Sequence, residues 1–232
     1  GGVPPEKMRL KGSKPALVSI GIILLVIAAV IGYFKFVHKG REQITSIAVL
    51  CFRNTSNDPD QEPLCEGIAD TIIRNLQRIE GLNVTGLISA INIKGKNLSI
   101  DEIGRTLKVE TVLEGNVQRE GNNIRITARL IKVSNGFQIW ADEYYQKWGE
   151  IFSIQNQISE AIVQGLKGKL LIEEKTAIGK RYTSNVEAQD FYYQGRYYLN
   201  KRTEDNLIKG IECFKKAIDV DSTFALAYAG KA

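Results

Sequence analysis

The feature that most constrains this chain is an uninterrupted apolar run, PALVSIGIILLVIAAVIGYF, from Pro15 to Phe34. Apart from Ser19, it is apolar on every face that a helix would present. At about 1.5 Å per residue, a helix of roughly 20 residues spans the ~30 Å hydrocarbon core of a bilayer. A signal-peptide core is shorter, and a globular helix has a polar face. We therefore predict one transmembrane helix over residues 15–37.

The basic residues that give the chain its positive charge are concentrated beside this run. Residues 1–42 contain seven lysines and arginines against two glutamates, a difference equal to the net charge of the whole chain, +5. The residues from 44 onward are therefore close to neutral, which gives no support for a nucleic-acid-binding surface. Residues 1–14 are predicted to be a basic cytoplasmic tail, because the positive-inside rule slightly favours a cytoplasmic N-terminus.

From Ile44 the sequence changes to the pattern of a soluble domain that contains both strands and helices. The β-branched run Ile44–Phe52 predicts a strand, and apolar residues at three- and four-residue spacing predict a helix over about 63–80. Ser99 and Glu102 form a capping-box pattern, which predicts a helix that ends near residue 108. No helix is predicted between residues 86 and 96.

Three alternating segments then follow, separated by two short turns rich in glycine and asparagine. They predict an antiparallel meander over 109–119, 124–133 and 137–145, and an amphipathic helix follows it. The predicted fold class is therefore α/β, of the α+β type, with a mixed sheet in residues 44–172. Residues 173–185 are charged and are predicted to be a linker or the frayed end of that helix. Residues 186–232 predict an all-α segment.

Residues 186–232 resemble a tetratricopeptide repeat (TPR), with one full repeat and the start of a second. The residues at the packing positions of the repeat are Phe191, Gly195, Tyr198, Gly210, Phe214, Ala217 and Tyr228. The resemblance implies a protein or peptide partner, and Tyr192, Tyr193 and Tyr197 are candidate groove residues, although packing within the repeat is the favoured alternative. Because a lone repeat cannot bury its face, we expect more repeats after residue 232.

Residues 44–172 resemble the TolB amino-terminal-like domain of bacterial multidomain signalling proteins. The matching phrases are IAVLCFRNTSNDPDQE, EGIADTIIRNL, IGRTLKVETVLEGNVQREGNNIRITARLI and GFQIWADEYY. Cys51 departs from the family pattern, which commonly has proline there. In that family this arrangement follows a serine/threonine kinase, an adenylate cyclase or a winged-helix effector. The resemblance implies a missing upstream effector, one span of the bacterial inner membrane and C-terminal domains outside the cytoplasm.

The patterns that would indicate catalysis or metal binding are weak. His38 is the one histidine, and its place beside the apolar run does not suit a catalytic triad. Gly86–Lys96 lacks the glycine and the hydroxyl residue that a phosphate loop requires. The oxygen-rich loop Asn57–Glu62 lacks the spacing of an EF-hand, so a solvated turn is favoured. Cys51, Cys65 and Cys213 have no metal-ligand spacing. We predict no catalytic residue, no cofactor and no metal.

These observations lead to a ranked set of functions. The first is a non-catalytic, membrane-anchored sensor or scaffold region of a bacterial signal-transduction protein, with TPR-mediated protein binding. The second is the C-terminal part of a transmembrane serine/threonine kinase or adenylate cyclase, since the chain starts without Met and is expected to be a fragment. The third is an envelope module that binds a ligand. The sequence leaves the oligomeric state and the partner open.

Overall fold

The computed structural model of the chain describes residues 44–56, 58–168 and 170–232. They belong to one compact unit, Ile44–Ala232. The predicted basic tail over residues 1–14 and the predicted transmembrane helix over residues 15–37 lie outside the described residues. In the part that is described, no helix is both long enough and apolar enough to cross a bilayer.

A mixed sheet lies at the centre of the described residues. Strand β1 (Ser46–Val49) is parallel to β3 (Asn83–Val84) on one side and to β4 (Thr111–Glu120) on the other. The chain leaves the ladder after β1, at Cys51 and Phe52, and then forms β2 (Arg53–Asn54). This short strand pairs in parallel with the second half of β4. The side of the sheet that β1 occupies is therefore parallel.

The other side of the sheet is an antiparallel meander. Strand β4 pairs with β5 (Asn123–Lys132) without interruption, and β5 pairs with β6 (Gln138–Lys147) with one register shift, between Leu130 and Ile131. The strand order is β3-β1-β4-β5-β6. Gly121 turns the chain between β4 and β5 at a φ of +57°, a conformation that glycine adopts without strain. The predicted mixed sheet and antiparallel meander are confirmed.

Helices lie on both faces of this sheet. In chain order they are α1 (Glu62–Leu76), α2 (Leu87–Ile93), α3 (Ile100–Leu107), α4 (Ile151–Lys167) and α5 (Ile172–Ile178). Helices α1 and α4 bury their apolar stripes in the main core, against side chains such as Ile47 and Leu113. A smaller cluster joins α2 and α3 to β4 through Ile93, Ile103 and Val112.

Local sequence signals explain where several of these elements begin. Ser99 caps α3 as predicted: its hydroxyl accepts the N–H of Glu102, whose carboxylate accepts the N–H of Ser99 at 2.8 Å. By contrast, α2 lies in residues 86–96, where no helix was predicted, and it begins without a side-chain cap. Helix α5 covers part of the segment 173–185, which was predicted to be a linker or a frayed helix end.

The C-terminal part of the chain is helical. It contains α6 (Val186–Lys201), α7 (Glu204–Val220) and α8 (Ala225–Lys231). Asn185 starts α6 by accepting two backbone N–H groups with its side-chain oxygen, at 2.9 and 3.0 Å. Buried residues of these helices belong to the same apolar cluster as α1, α4 and the sheet. The C-terminal helices are therefore packed onto the α/β part.

Candidate functional site

A cleft lined by polar and apolar side chains lies where β1 ends, and we call it the β1 cleft. One wall is the segment Leu50–Asn54, which joins β1 to β2, and the other runs from α2 to the start of α3 over residues 90–103. The cleft has a volume of about 660 Å³. It adjoins both β1 and β4. After β1 the chain forms β2 and then reaches β3, which lies on the far side of β1 from β4, whereas β4 is followed by β5 on its other side. Ligands in open α/β sheets commonly bind at such a position.

The bottom of the β1 cleft is apolar. Ile93 and Ile103 are buried there, with 8% and 7% of their surface exposed. Leu50, Leu98 and Ile100 pack against them but remain only half-buried, and all three line the cleft. The fold therefore leaves apolar side-chain surface open in the cleft instead of burying it in the smaller core cluster.

Charged residues form the sides of the β1 cleft. The Nζ atom of Lys94 lies 2.6 Å from a carboxylate oxygen of Glu62 and 3.0 Å from one of Glu66. Burial lowers the pKa of Lys94, but its hydrogen bonds to both carboxylates outweigh this effect and raise the pKa above its ordinary value. Arg129 pairs with Glu114 at 2.8 Å. Lys94 is therefore protonated at neutral pH and ties the end of α2 to the start of α1.

The thiol at the β1 cleft is not activated. Burial is the main cause that raises the pKa of Cys51 to about 12, and the same effect raises the pKa of Cys65 to about 12. Since the thiolate is the reactive form, both groups are weak nucleophiles at neutral pH. In the described ranges, no group of three or more His, Cys, Asp or Glu side chains is placed to hold a metal ion.

The oxygen-rich loop, for which a solvated turn was favoured over a calcium site, uses its carboxylates locally. Asp58 accepts the backbone N–H of Asp60 at 2.9 Å and the side-chain amide of Gln61 at 2.8 Å, and thereby caps a short 3-10 turn. These hydrogen bonds, that of Gln61 first, lower the pKa of Asp58. Glu62 is paired with Lys94. Asn57 lies outside the described residues.

A second polar site connects α6 with α1 and α4. The Tyr193 hydroxyl lies 3.1 Å from the hydroxyl of Thr71 in α1 and accepts the side-chain amide of Gln155 in α4 at 2.8 Å. Tyr193 is 1% exposed, and burial raises the pKa of its hydroxyl. A Cβ atom at Gly67 would lie 2.2 Å from Cγ of this ring, so the close approach of α6 to α1 requires glycine there. Nothing in the local sequence pattern indicated this network.

The candidate groove tyrosines have different surroundings. Tyr192 and Tyr193 are buried, with 2% and 1% of their surface exposed. The Tyr192 ring packs against Phe214 and Phe224, with ring centroids 5.8 and 5.2 Å apart. Tyr197 is half-buried, and the Nζ atom of Lys201 lies 4.1 Å from its ring centroid. Of these three tyrosines, the structure leaves only Tyr197 in contact with solvent to a substantial degree.

The residues at the predicted packing positions lie on the three C-terminal helices. Phe214 and Ala217 are fully buried, and a Cβ atom at Gly195 would lie 2.6 Å from the Phe214 ring. A Cβ at Gly210 would lie 3.1 Å from the carbonyl oxygen of Gly195, so α6 and α7 are in close contact. The remaining three packing positions are more open: Phe191 and Tyr198 are half-buried, and Tyr228 is 48% exposed.

Comparison with known families identifies the α/β part. Residues 42–161, just over half of the chain, match the family described as HilA/YgeH-like transcriptional regulator, second domain. The chain belongs to this family. The matched range includes the whole sheet, the β1 cleft and most of α4, and it ends before the C-terminal helices.

A curated relative covers more of the chain. A Rhizobium meliloti (strain 1021) protein named "Putative adenylate cyclase 3" is 33% identical over 184 residues, which is 79% of this chain. The chain spans 31% of the length of that relative. Most of the relative therefore has no counterpart in the aligned region.

Solved structures give looser similarities. TolB from Acinetobacter baumannii matches with a TM-score of 0.39 and 17% identity, over 55% of this chain and 29% of that one. The lipoprotein GNA1162 from Neisseria meningitidis matches with a TM-score of 0.39 and 16% identity, over 54% of this chain and 99% of that one. The TolB-like assignment of residues 44–172 stays a prediction.

Proposed function

We propose that this chain is a non-catalytic sensor or scaffold region of a bacterial signal-transduction protein. The observation that supports this most is the pair of relatives. Residues 42–161 match a family named for transcriptional regulators, and 79% of the chain aligns with a protein named as an adenylate cyclase, so the two matched ranges must overlap. A region shared by proteins with such different activities is suited to a regulatory role that is common to both, with the activity itself supplied by another part of each protein.

The chemistry of the described residues agrees with that role. The thiols Cys51 and Cys65 are protonated at neutral pH, and Lys94 is engaged by two carboxylates. The Tyr193 hydroxyl, which is the central group of the second polar site, is buried and hydrogen-bonded on both sides. Each group therefore serves packing or hydrogen bonding and is not free to attack a substrate.

The proposal includes protein binding by the C-terminal helices, which we assign to a TPR. Helix α7 exposes apolar side chains: Leu207 and Ile211 are each 39% exposed, and Ile208 is 53% exposed. Leu207 and Ile211 are four residues apart and therefore lie on one face of the helix. An apolar helix face of this kind can be covered by a further repeat or by a partner protein.

We further propose that the region is anchored by a single span over residues 15–37 in the bacterial inner membrane, with its N-terminus in the cytoplasm. The apolar run from Pro15 to Phe34 supports the span, and the basic residues beside it support the orientation. In this arrangement, residues 44–232 lie on the far side of the membrane from an upstream effector. The relative from Rhizobium favours an adenylate cyclase as that effector, with a serine/threonine kinase or a winged-helix DNA-binding domain as the alternatives.

Sequencing the gene in the 5′ direction from the codon for Gly1 tests the regulatory role. The proposal expects one continuous reading frame that encodes a cyclase, kinase or DNA-binding domain before the apolar run. A stop codon directly upstream of a start site, with no effector in the frame, would contradict it. Reporter fusions placed before Lys7 and after Lys39 test the orientation, since only the first is expected to report a cytoplasmic location.

A further inference from the structure

We propose that the β1 cleft binds a small amphipathic anion, a molecule with one anionic group and an apolar body. This inference does not depend on the scaffold role, because the C-terminal helices do not contribute to the lining of the cleft. It concerns what the α/β part recognises. The argument uses the pairing of the charges, the apolar bottom and the size of the cleft.

The charges of the cleft favour an anion. Both acidic residues that line it already have cationic partners: Glu62 is paired with Lys94 at 2.6 Å, and Glu114 with Arg129 at 2.8 Å. Two further cations, Arg53 and Lys96, line the same cleft and are exposed. The described residues provide neither of these two with a carboxylate partner. Because Lys94 is shared by Glu62 and Glu66, the four cations at the cleft, Arg53, Lys94, Lys96 and Arg129, face three carboxylates and leave a net excess of one positive charge.

The bottom of the cleft favours an apolar body on the same ligand. Leu50, Leu98 and Ile100 are half-buried and border the buried side chains of Ile93 and Ile103. Covering this surface removes apolar area from water, which stabilises a complex. A simple inorganic anion would leave the surface uncovered. The combination of charge and apolar surface therefore selects an amphipathic molecule.

The dimensions of the cleft favour a small molecule. Its volume of about 660 Å³ lies within the range of roughly 300–1,000 Å³ that is common for small-molecule sites. The α2–α3 segment is held at one side by Lys94, whose two ion pairs connect it to α1. The cleft is thus preformed by packing and ion pairs, which lowers the entropic cost of binding.

A pair of isosteric probes tests the inference. The anion is 4-[4-(trifluoromethyl)phenyl]butanoate, and its neutral counterpart is the primary amide. Each is titrated against the full chain in lipid nanodiscs and followed by fluorine NMR, with empty nanodiscs as the blank. We expect saturable binding of the anion and binding of the amide that is weaker by about tenfold, because two exposed ionic contacts are missing.

Variants assign the binding to the cleft. The double variant Arg53→Gln/Lys96→Gln is expected to weaken anion binding by about tenfold and to leave amide binding unchanged. The matched control is Lys215→Gln/Lys231→Gln, which removes the same charge at two exposed positions on the C-terminal helices and is expected to change neither. The variant Leu98→Ala is expected to weaken both probes, because it removes apolar surface that both use.

The outcomes separate clearly. The inference is overturned if the anion does not bind at millimolar concentration, if both probes bind equally well, or if the cleft variant and its control weaken the anion alike. Denaturation curves establish that each variant is folded. Should the double variant fail to fold, Lys96→Gln alone, in the exposed segment after α2, is expected to weaken anion binding about threefold, and no change in this variant would refute the inference.

Discussion

The packing of α6 against α1 predicts that alanine at Gly67 in α1 lowers the free energy of unfolding, whereas alanine at Gly165 in α4, outside this contact, raises it. In Gly67→Ala, the new methyl group would lie 2.2 Å from Cγ of Tyr193 and within 2.7 Å of two more ring atoms. The ring cannot move away easily, because its hydroxyl is hydrogen-bonded to both Thr71 and Gln155. The neighbouring helices must therefore separate, or the ring must leave its site.

The magnitude follows from two opposing effects. Replacing a glycine inside a helix by alanine stabilises the helix by about 1 kcal/mol. Inserting a methyl group into a tightly packed site destabilises by about 1–3 kcal/mol, and three atoms in severe contact place Gly67→Ala at the upper end of that range. We expect the free energy of unfolding to fall by about 2 kcal/mol in Gly67→Ala.

Gly165→Ala in α4 is the matched control. The nearest atoms to its new methyl group would be 3.8 and 3.9 Å away, which is ordinary contact, so only the gain in helix stability remains. We expect the free energy of unfolding to rise by about 0.5–1 kcal/mol. Urea denaturation of the full chain, followed by circular dichroism, measures both changes. Stabilisation by Gly67→Ala, as in the control, would refute the packing described for α6 on α1.

Three further predictions concern hydrogen bonds and charges. Tyr193→Phe removes the hydroxyl that pairs with Thr71 and Gln155, so we expect the free energy of unfolding to fall by about 2 kcal/mol. Tyr228→Phe, at an exposed position, is expected to change it by less than about 0.5 kcal/mol. Lys94→Gln leaves the nearly buried carboxylate of Glu66 unpaired, so we expect the free energy of unfolding to fall by about 1 kcal/mol. Arg105→Gln removes a well-exposed ion pair and is expected to lower it by less than about 0.5 kcal/mol. Equal effects of the two tyrosine variants, or of the Lys94 and Arg105 variants, would contradict these contacts. Folding lowers the pKa of Glu110 from 4.5, first because the backbone N–H of Thr45, just before β1, donates to its carboxylate. Glu110→Gln should therefore be less stable than the native chain at pH 7, and this difference in stability should disappear as the pH falls through the lowered pKa. A difference that persists at lower pH would contradict the prediction.

The sequence predicted those elements whose signals are local. Alternation and two short turns predicted the meander of β4, β5 and β6, and the Ser99 capping box predicted the start of α3. Helix α2 was missed because seven residues are too few to establish a helical period and no side chain caps its start. Its position matters, since it forms one wall of the β1 cleft.

Contacts between distant segments were beyond the reach of these signals. Helical spacing cannot tell which other element will cover a tyrosine, and Tyr193 is covered by α1, more than 100 residues earlier in the chain. The β1 cleft likewise combines residues from 50 to 129, and its open charges emerge only after Glu62 and Glu114 are seen to be paired. Sequence patterns carry no information on such pairings.

Protein capture tests the proposed scaffold role most directly. The full chain in nanodiscs is used as bait with extract from its own source, and the bound proteins are quantified by mass spectrometry. The variant Leu207→Lys/Ile211→Lys alters the exposed face of α7, and Ile172→Lys, at an 82% exposed position on α5, is the control. We predict at least one protein that the native chain and the control enrich equally and that the α7 variant loses. Equal recovery of every bound protein by all three baits would contradict protein binding through the C-terminal helices.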